Sequence, residues 1–283
     1  MNDQLVKALA RDEIAIAPLC LDPLMARVAE HAGFGLGYIS GGALGYSYAV
    51  SEALLTLTEI ADATRRITQR SELGIIVDVG VGFGDPVHVA RLVWELEQAG
   101  AVGIEIEDQV APKRVSHHRG IEHLVSTEVM TQKIEQAANA RRDPTLQIIA
   151  RTGAIKNEDF ASAVARLTAY RSAGADILMC MPADDEQIRS LRETFDCRLS
   201  TIVAMDQARG PRWRDAGWDL IIDPFTAQVL AVQAVQTAYS AFISSGATGA
   251  DLKALFASYN ELGSMAGLDE LYAIEDVTTE RTS

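Results

Sequence analysis

Several charged side chains stand directly behind or within short apolar runs: Asp78 in GIIVDV, Glu105, Glu107 and Asp108 in GIEIED, and Arg151 at the end of QIIAR. Carboxylates grouped in this way could hold a hard divalent cation such as Mg2+, directly or through waters. The planar fork of Arg151 could clamp a carboxylate or a phosphate. Ser40 is followed by Gly41 and Gly42, and side-chain-free backbone lets N–H groups approach an anionic oxygen closely, as an oxyanion hole requires. Neighbouring strand residues face opposite ways, so of Glu107 and Asp108 one points into the sheet's interior and the other toward the covering helices. Asp78 reads equally well as a carboxylate that caps a turn or pairs with a lysine. Arg151 reads equally well as half of a structural ion pair.

The stretch KRVSHHRG adds Lys113, Arg114, His117 and His118. Such a loop is either solvated or closes over an anionic substrate and supplies an acid or base. His31, His88 and His123 have no comparable company and read as helix-face residues, and Cys180 with Met181 reads as core. The glycine-rich segment VDVGVGFGD, residues 77–85, has the spacing G-x-G-x-G and not the G-x-G-x-x-G of a dinucleotide cradle.

The elements that must position these groups follow from the apolar pattern. Continuous apolar runs at 14–20, 37–40, 74–79, 103–108, 147–151, 176–181, 199–204 and 219–223 resemble parallel strands covered on both faces. Helical segments separate them, of which 85–100 is the clearest. Asp85 can cap it, Pro86 suits its first turn, Val89, Leu92, Val93 and Leu96 form one stripe, and Gly100 stops it. Eight such units predict a (β/α)8 barrel, an α/β fold whose site lies at the C-terminal strand ends. We read residues 1–283 as one barrel domain in which 225–283 is a helical extension without strands. Helices surplus to a barrel pack against an end or a neighbouring subunit, so a homo-oligomer, dimer or tetramer, is expected.

The chain has 283 residues, 48% of them hydrophobic, which is ample for a full core. A formal net charge of −14 disfavours nucleic acid and anionic membranes as partners, because both require a basic surface. Cys20, Cys180 and Cys197 lack zinc-site spacing. The start, MNDQLVKALARDE, reads as a polar amphipathic helix without a signal-peptide core, and no apolar stretch approaches the roughly 18 residues of a membrane span. A cytoplasmic location is the expectation.

The segments YISGG (38–42), VDVGVGFGD, GIEIEDQVAPKR (103–114), IIARTGA (148–154) and AGAD (173–176) resemble the isocitrate lyase/phosphoenolpyruvate mutase superfamily over nearly the whole chain. The resemblance implies a barrel whose eighth helix is swapped between partners and Mg2+-assisted chemistry on 2-oxo or 2-hydroxy acids through an enolate. Carried over by position, Tyr38, Ser40, Gly41, Gly42 and Arg151 would bind substrate. Asp78 and Glu107 would serve the metal, and Lys113 and His117 would belong to the gating loop.

The departures are specific. The family's D-A-D-x-G-(Y/F)-G has its second aspartate, a principal metal-site carboxylate, replaced here by Gly80. A further family acid falls near Ser51 or Glu52, and only Glu52 could replace it, with a shift in register. The lyase loop K-(K/R)-C-G-H reads Lys113-Arg114-Val115-Ser116-His117, which argues against cleavage by the thiol mechanism. The acid of A-R-T-D-A is Gly153, and the lyases' glutamate after the sixth strand aligns with Met181.

The expected activity is therefore that of a carbon–carbon lyase, retro-aldol or decarboxylating, on a small 2-oxo or 2-hydroxy carboxylate. Lys113, His117 and Arg151 would be its catalytic residues. One alternative is phosphonopyruvate mutase or hydrolase chemistry, for which Ser116 is present and the mutase loop's asparagine is absent. The other is a metal-independent or non-catalytic binding protein on the same fold.

Overall fold

All eight apolar runs are strands in a computed structural model, which describes residues 3–11 and 13–279. They are β1 (Ala15–Ala17), β2 (Leu36–Ile39), β3 (Gly74–Asp78), β4 (Gly103–Glu107), β5 (Gln147–Arg151), β6 (Ile177–Met179), β7 (Arg198–Ile202) and β8 (Leu220–Ile222). Every pair is parallel, in the order β1-β8-β7-β6-β5-β4-β3-β2. Just beyond β1 the backbone bonds Tyr38 N to Pro18 O and Cys20 N to Tyr38 O, each 2.8 Å, join the two ends of that order. The sheet therefore closes on itself as a (β/α)8 barrel.

Side-chain alternation divides the core in two. Ala15, Ala17, Leu36, Tyr38, Ile76, Ile149, Ile177, Met179, Leu220 and Ile222 fill the interior. Ile39, Ile75, Val77, Ile104, Ile106, Ile148, Leu178 and Leu199 face the helical layer. Leu5 and Leu9 of the helix Gln4–Leu9 join the inner cluster. Two strand glycines make their approach possible: a Cβ at Gly74 would lie 2.7 Å from Gln4 Cβ, and one at Gly103 2.9 Å from Leu5 Cδ2. The expected N-terminal helix is thus shorter than MNDQLVKALARDE, and Met1, Asn2 and Asp12 lie outside the described residues.

The helix Pro86–Gln98 begins after Asp85 and buries Val89, Leu92, Val93 and Leu96, as its stripe predicts. His88 turns back on this helix to accept a hydrogen bond from Asp85 N at 3.1 Å. His31 ends the helix Pro23–His31. His123 departs from the expectation, standing in the loop before the helix Thr127–Ala140 and not on a helix face. Cys180 is buried and Met181 only half-buried.

The chain divides into two compact units, Met1–Thr226 and Ala227–Ser283. The second is formed from the helices Thr226–Ser245, Leu252–Met265 and Leu268–Val277. It exposes Leu230, Tyr239, Phe242, Ile243, Phe256 and Tyr259. Among the described residues no helix is long and apolar enough to cross a membrane. Cys20, Cys180 and Cys197 are free and buried.

Candidate active site

Strand period 2 places Asp78, Glu105, Glu107 and Arg151 on the inner face near the C-terminal ends of β3, β4 and β5. Register brings Asp78 beside Glu105 and Glu107 beside Arg151. Arg151 binds Glu105 Oε1 at 3.0 Å and reaches Glu107 Oε2 at 3.7 Å. Deeper in the barrel, Tyr38 Oη donates to Glu105 Oε2 at 2.7 Å. Burial disfavours the arginine's charge, but Glu107, Glu105 and Asp78 overcome this and hold it well above its ordinary pKa.

Asp108 faces the other way, as alternation requires. It accepts from Thr152 Oγ1 at 2.6 Å, Tyr170 Oη at 2.9 Å, Gly153 N at 3.1 Å and an Arg166 guanidinium nitrogen at 3.3 Å. This is a structural clasp between the ends of β4 and β5 and the helix Phe160–Ser172.

Two loops complete the inner site. Lys113 Nζ lies 2.5 Å from Glu107 Oε1 and 3.0 Å from Glu52 Oε1. Glu52 enters from the short 3-10 turn Glu52–Leu54, capped by Ser51. His117 completes the chain of contacts: its Nε2 meets Glu52 Oε1, and its Nδ1 faces Arg114 O at 2.5 Å. Both partners are acceptors, so this geometry favours a ring protonated on both nitrogens. Burial pushes the His117 pKa down, and the Glu52 and Arg114 bonds more than reverse this. Burial likewise opposes the charge of Glu52, yet His117 and Lys113 hold its carboxyl at about 2. Lys113 is buried too, and the surrounding Glu107, Glu52 and Asp78 raise its pKa above the ordinary lysine value. His118 stands aside, with Nε2 on Ser51 Oγ at 3.1 Å and Nδ1 near Tyr46 Oη at 3.3 Å.

The turn after β2 meets the inner acids through its first amide. Ser40 Oγ caps the helix Gly41–Ser47 by accepting from Ala43 N at 3.3 Å. The Gly41 amide donates to Asp78 Oδ2 at 3.1 Å, while Gly80 N donates to Asp78 Oδ1 at 2.8 Å. Burial, followed by the charges of Glu105 and Glu52, pushes the Asp78 carboxyl up to about 7. A cavity of roughly 370 Å3 opens beside it, lined by Glu52, Leu55, Asp78, Gly80, Phe83 and Lys113 among others.

These residues do not fit a magnesium ion at Asp78 and Glu107. Each Asp78 oxygen accepts one backbone amide, as a ligating carboxylate can, so the misfit lies in the partners of Glu107 and in the carboxylate absent at Gly80. Glu107 meets Lys113 through Oε1 and accepts from Gln109 Nε2 through Oε2 at 3.1 Å. Near-octahedral oxygen ligation also lacks the carboxylate that Gly80 omits. Among the described residues, the His and carboxylate groups whose ligand atoms converge are Glu52, His117 and His118, not Asp78 and Glu107. There too Glu52 Oε1 is shared between Lys113 and His117.

Sequence reasoning reached Asp78, Glu105, Glu107, Arg151, Lys113 and His117, and the structure brings them together. It reached Glu52 only as a register-shifted substitute, and it missed Gln109 and Glu122. Glu122 Oε2 accepts from Asn157 Nδ2 at 2.6 Å and would lie 2.6 Å from a Cβ at Gly153. The signal for Glu122 was the absent side chain at Gly153, which leaves room for a carboxylate from elsewhere.

A closed parallel barrel with arginine, lysine and carboxylates at its strand ends defines an enzyme-type site of the anion-handling class. Residues 6–250 match the family described as phosphoenolpyruvate phosphomutase, and the chain belongs to it. Among its relatives is a probable 2-methylisocitrate lyase of Corynebacterium glutamicum, 37% identical over 84% of this chain and 80% of that one. The 2,3-dimethylmalate lyase of Eubacterium barkeri is 30% identical over 94% of both chains. The solved structure of a phosphonopyruvate hydrolase complex with oxalate and Mg2+ superimposes with a TM-score of 0.86 at 28% identity, covering 98% of this chain and 99% of that one.

Proposed function

We propose that this protein is a carbon–carbon lyase acting on a small 2-oxo or 2-hydroxy carboxylate, by retro-aldol cleavage or decarboxylation. The observation that carries the reading is the pair of fixed cations, Arg151 and Lys113, set on either side of Glu107 at the barrel mouth. Arg151 orients the substrate carboxylate through its planar fork. In decarboxylation of a 2-oxo substrate the electrons of the breaking C–C bond flow into the 2-oxo group. In retro-aldol cleavage of a 2-hydroxy substrate the hydroxyl gives up its proton and becomes the new carbonyl, while the electrons pass to the other fragment as the enolate of its carboxylate, which is then protonated. The enolate oxygen then gains charge in a site whose cations are already in place, which needs no reorganisation during the reaction. Asp78, held near 7, is the group suited to exchange a proton at neutral pH. The loop carrying Lys113 and His117 turns both side chains inward at this mouth, each only 9% exposed.

The reading is supported by relatives named as 2-methylisocitrate lyase, 2,3-dimethylmalate lyase and oxaloacetate decarboxylase. Val115 stands where the lyases' thiol would be, which favours a decarboxylating or short-chain substrate over 2-methylisocitrate. The test is turnover of oxaloacetate, malate and citramalate by the purified protein, each with saturating Mg2+ and with chelator. No product from any of them in either condition defeats the reading. A second reading, cleavage of the P–C bond of phosphonopyruvate, is favoured by the likeness to the hydrolase and by Ser116. Phosphorus NMR of phosphonopyruvate with the enzyme separates it from the first.

The protein's proposed place is the cytoplasm, supported by three free buried cysteines. Its proposed state is a homo-oligomer, dimer or tetramer, supported by the apolar side chains exposed along the last three helices.

A further inference from the structure

Gly80 stands beside Lys113. Gly80 has φ 52, and a Cβ there would lie 3.7 Å from Glu107 Oε1, 3.7 Å from Lys113 Cδ and 3.8 Å from Lys113 Nζ. A side chain at position 80 would thus touch the lysine stem and head, and a carboxylate there would be within reach of the ammonium. The head itself is placed by three independent features. It bridges Glu107 and Glu52; Glu52 is pinned from behind by His117; and the lysine side chain is only 9% exposed.

We infer that the Lys113 ammonium is the resident cation of this site, standing between Glu52 and Glu107 where a divalent ion would otherwise be gathered, so that the barrel needs no metal. Arg151, Lys113 and His117 together set three positive charges against Glu52, Glu105, Glu107 and Asp78. An aspartate at 80 and a neutral residue at 113 would leave that set two charges more negative, which is the charge of a divalent ion. The lysine is the one the family's loop also carries; what is particular to this chain is the carboxylate missing at Gly80, which leaves Lys113 bound to Glu107 and Glu52 as a tethered cation. The catalytic half of this inference rests on the proposed lyase reading, and the binding half does not.

Calorimetric titration of Mg2+ into the full-length wild type, Lys113→Met, Gly80→Asp and the Lys113→Met/Gly80→Asp double variant tests the binding half, with circular dichroism confirming the fold of each. The wild type is expected to show no saturable binding at millimolar Mg2+. The double variant is expected to gain stoichiometric, submillimolar binding. Gly80→Asp alone is expected to stay silent, because the new carboxylate pairs with Lys113. Lys113→Met alone, which changes no backbone constraint, is expected to bind weakly, and it decides the matter if the double variant does not fold. Saturable binding by the wild type, binding by Gly80→Asp alone, or none by either lysine variant overturns the inference. Turnover on whichever substrate is found should change less than twofold between chelator and Mg2+, and a tenfold fall in chelator overturns it. If no substrate turns over, the lyase reading fails while the calorimetry still decides the cation's identity.

Discussion

The amide of Gly41 donates to Asp78 Oδ2 across the gap between the end of β2 and the end of β3, at 3.1 Å. The two groups that the sequence marks separately, an oxyanion-type turn and a metal-type carboxylate, are thus partners of each other.

Asp78 should make stability depend on pH. Its folded pKa of about 7 lies above the ordinary 3.8, so the stability it contributes is complete below about pH 4 and is lost as pH rises through 7. In Asp78→Asn that loss is absent. Urea denaturation should therefore show the difference between variant and wild type moving in the variant's favour by on the order of 2 kcal/mol between about pH 5 and pH 8. A difference independent of pH would show that Asp78 is ionised throughout.

Arg151→Met leaves Glu105 and Glu107 facing each other without their shared guanidinium. Breaking a buried pair by removing one partner typically costs about 3–5 kcal/mol, and that loss is expected in denaturant unfolding. The companion Arg151→Met/Glu105→Gln variant should recover part of it. Turnover on any accepted substrate should fall by about a hundredfold or more, as loss of a placed charged donor does.

Asp108→Ala separates stability from chemistry. It strands donors from Thr152, Tyr170, Gly153 and Arg166, and buried groups left unpaired cost roughly 1–3 kcal/mol each. The thermal midpoint should drop strongly, while kcat measured well below it stays within about tenfold, because the side chain faces away from the mouth.

Gly153→Asp restores a family-like residue where Glu122 now lies. With Glu122 Oε2 only 2.6 Å from the new Cβ, overpacking and like charge should cost about 1–3 kcal/mol. Gly153→Asp/Glu122→Ala should recover most of that, and purely additive effects in the double-mutant cycle would refute the coupling.

The exposed face of the last helices should be an interface between copies. Ile243 is 86% exposed, and Ile243→Asp should shift sedimentation velocity toward a smaller species with the barrel's circular dichroism unchanged. An unchanged sedimentation coefficient would place the interface elsewhere.

The strands and the inward set were legible because both are local properties. Apolar runs set β1 to β8, and period 2 then dictates that Glu107 faces in and Asp108 faces out. Arg151 is marked by the end of its strand, and Lys113 and His117 by the basic stretch KRVSHHRG; the family resemblance adds their expected roles. Partnership was not legible. His117 and Glu52 are 65 residues apart and come from two different loops, whose backbone no periodicity fixes. The sequence by itself determined a closed parallel barrel with these acids and bases at its strand ends, and a glycine where an aspartate is usual. Only the tertiary structure decided that a lysine fills the space beside that glycine, that Glu122 lies against Gly153, and that the Gly41 amide serves Asp78. Those outcomes depend on distances between loops, where a shift of an ångström or two decides which charge meets which.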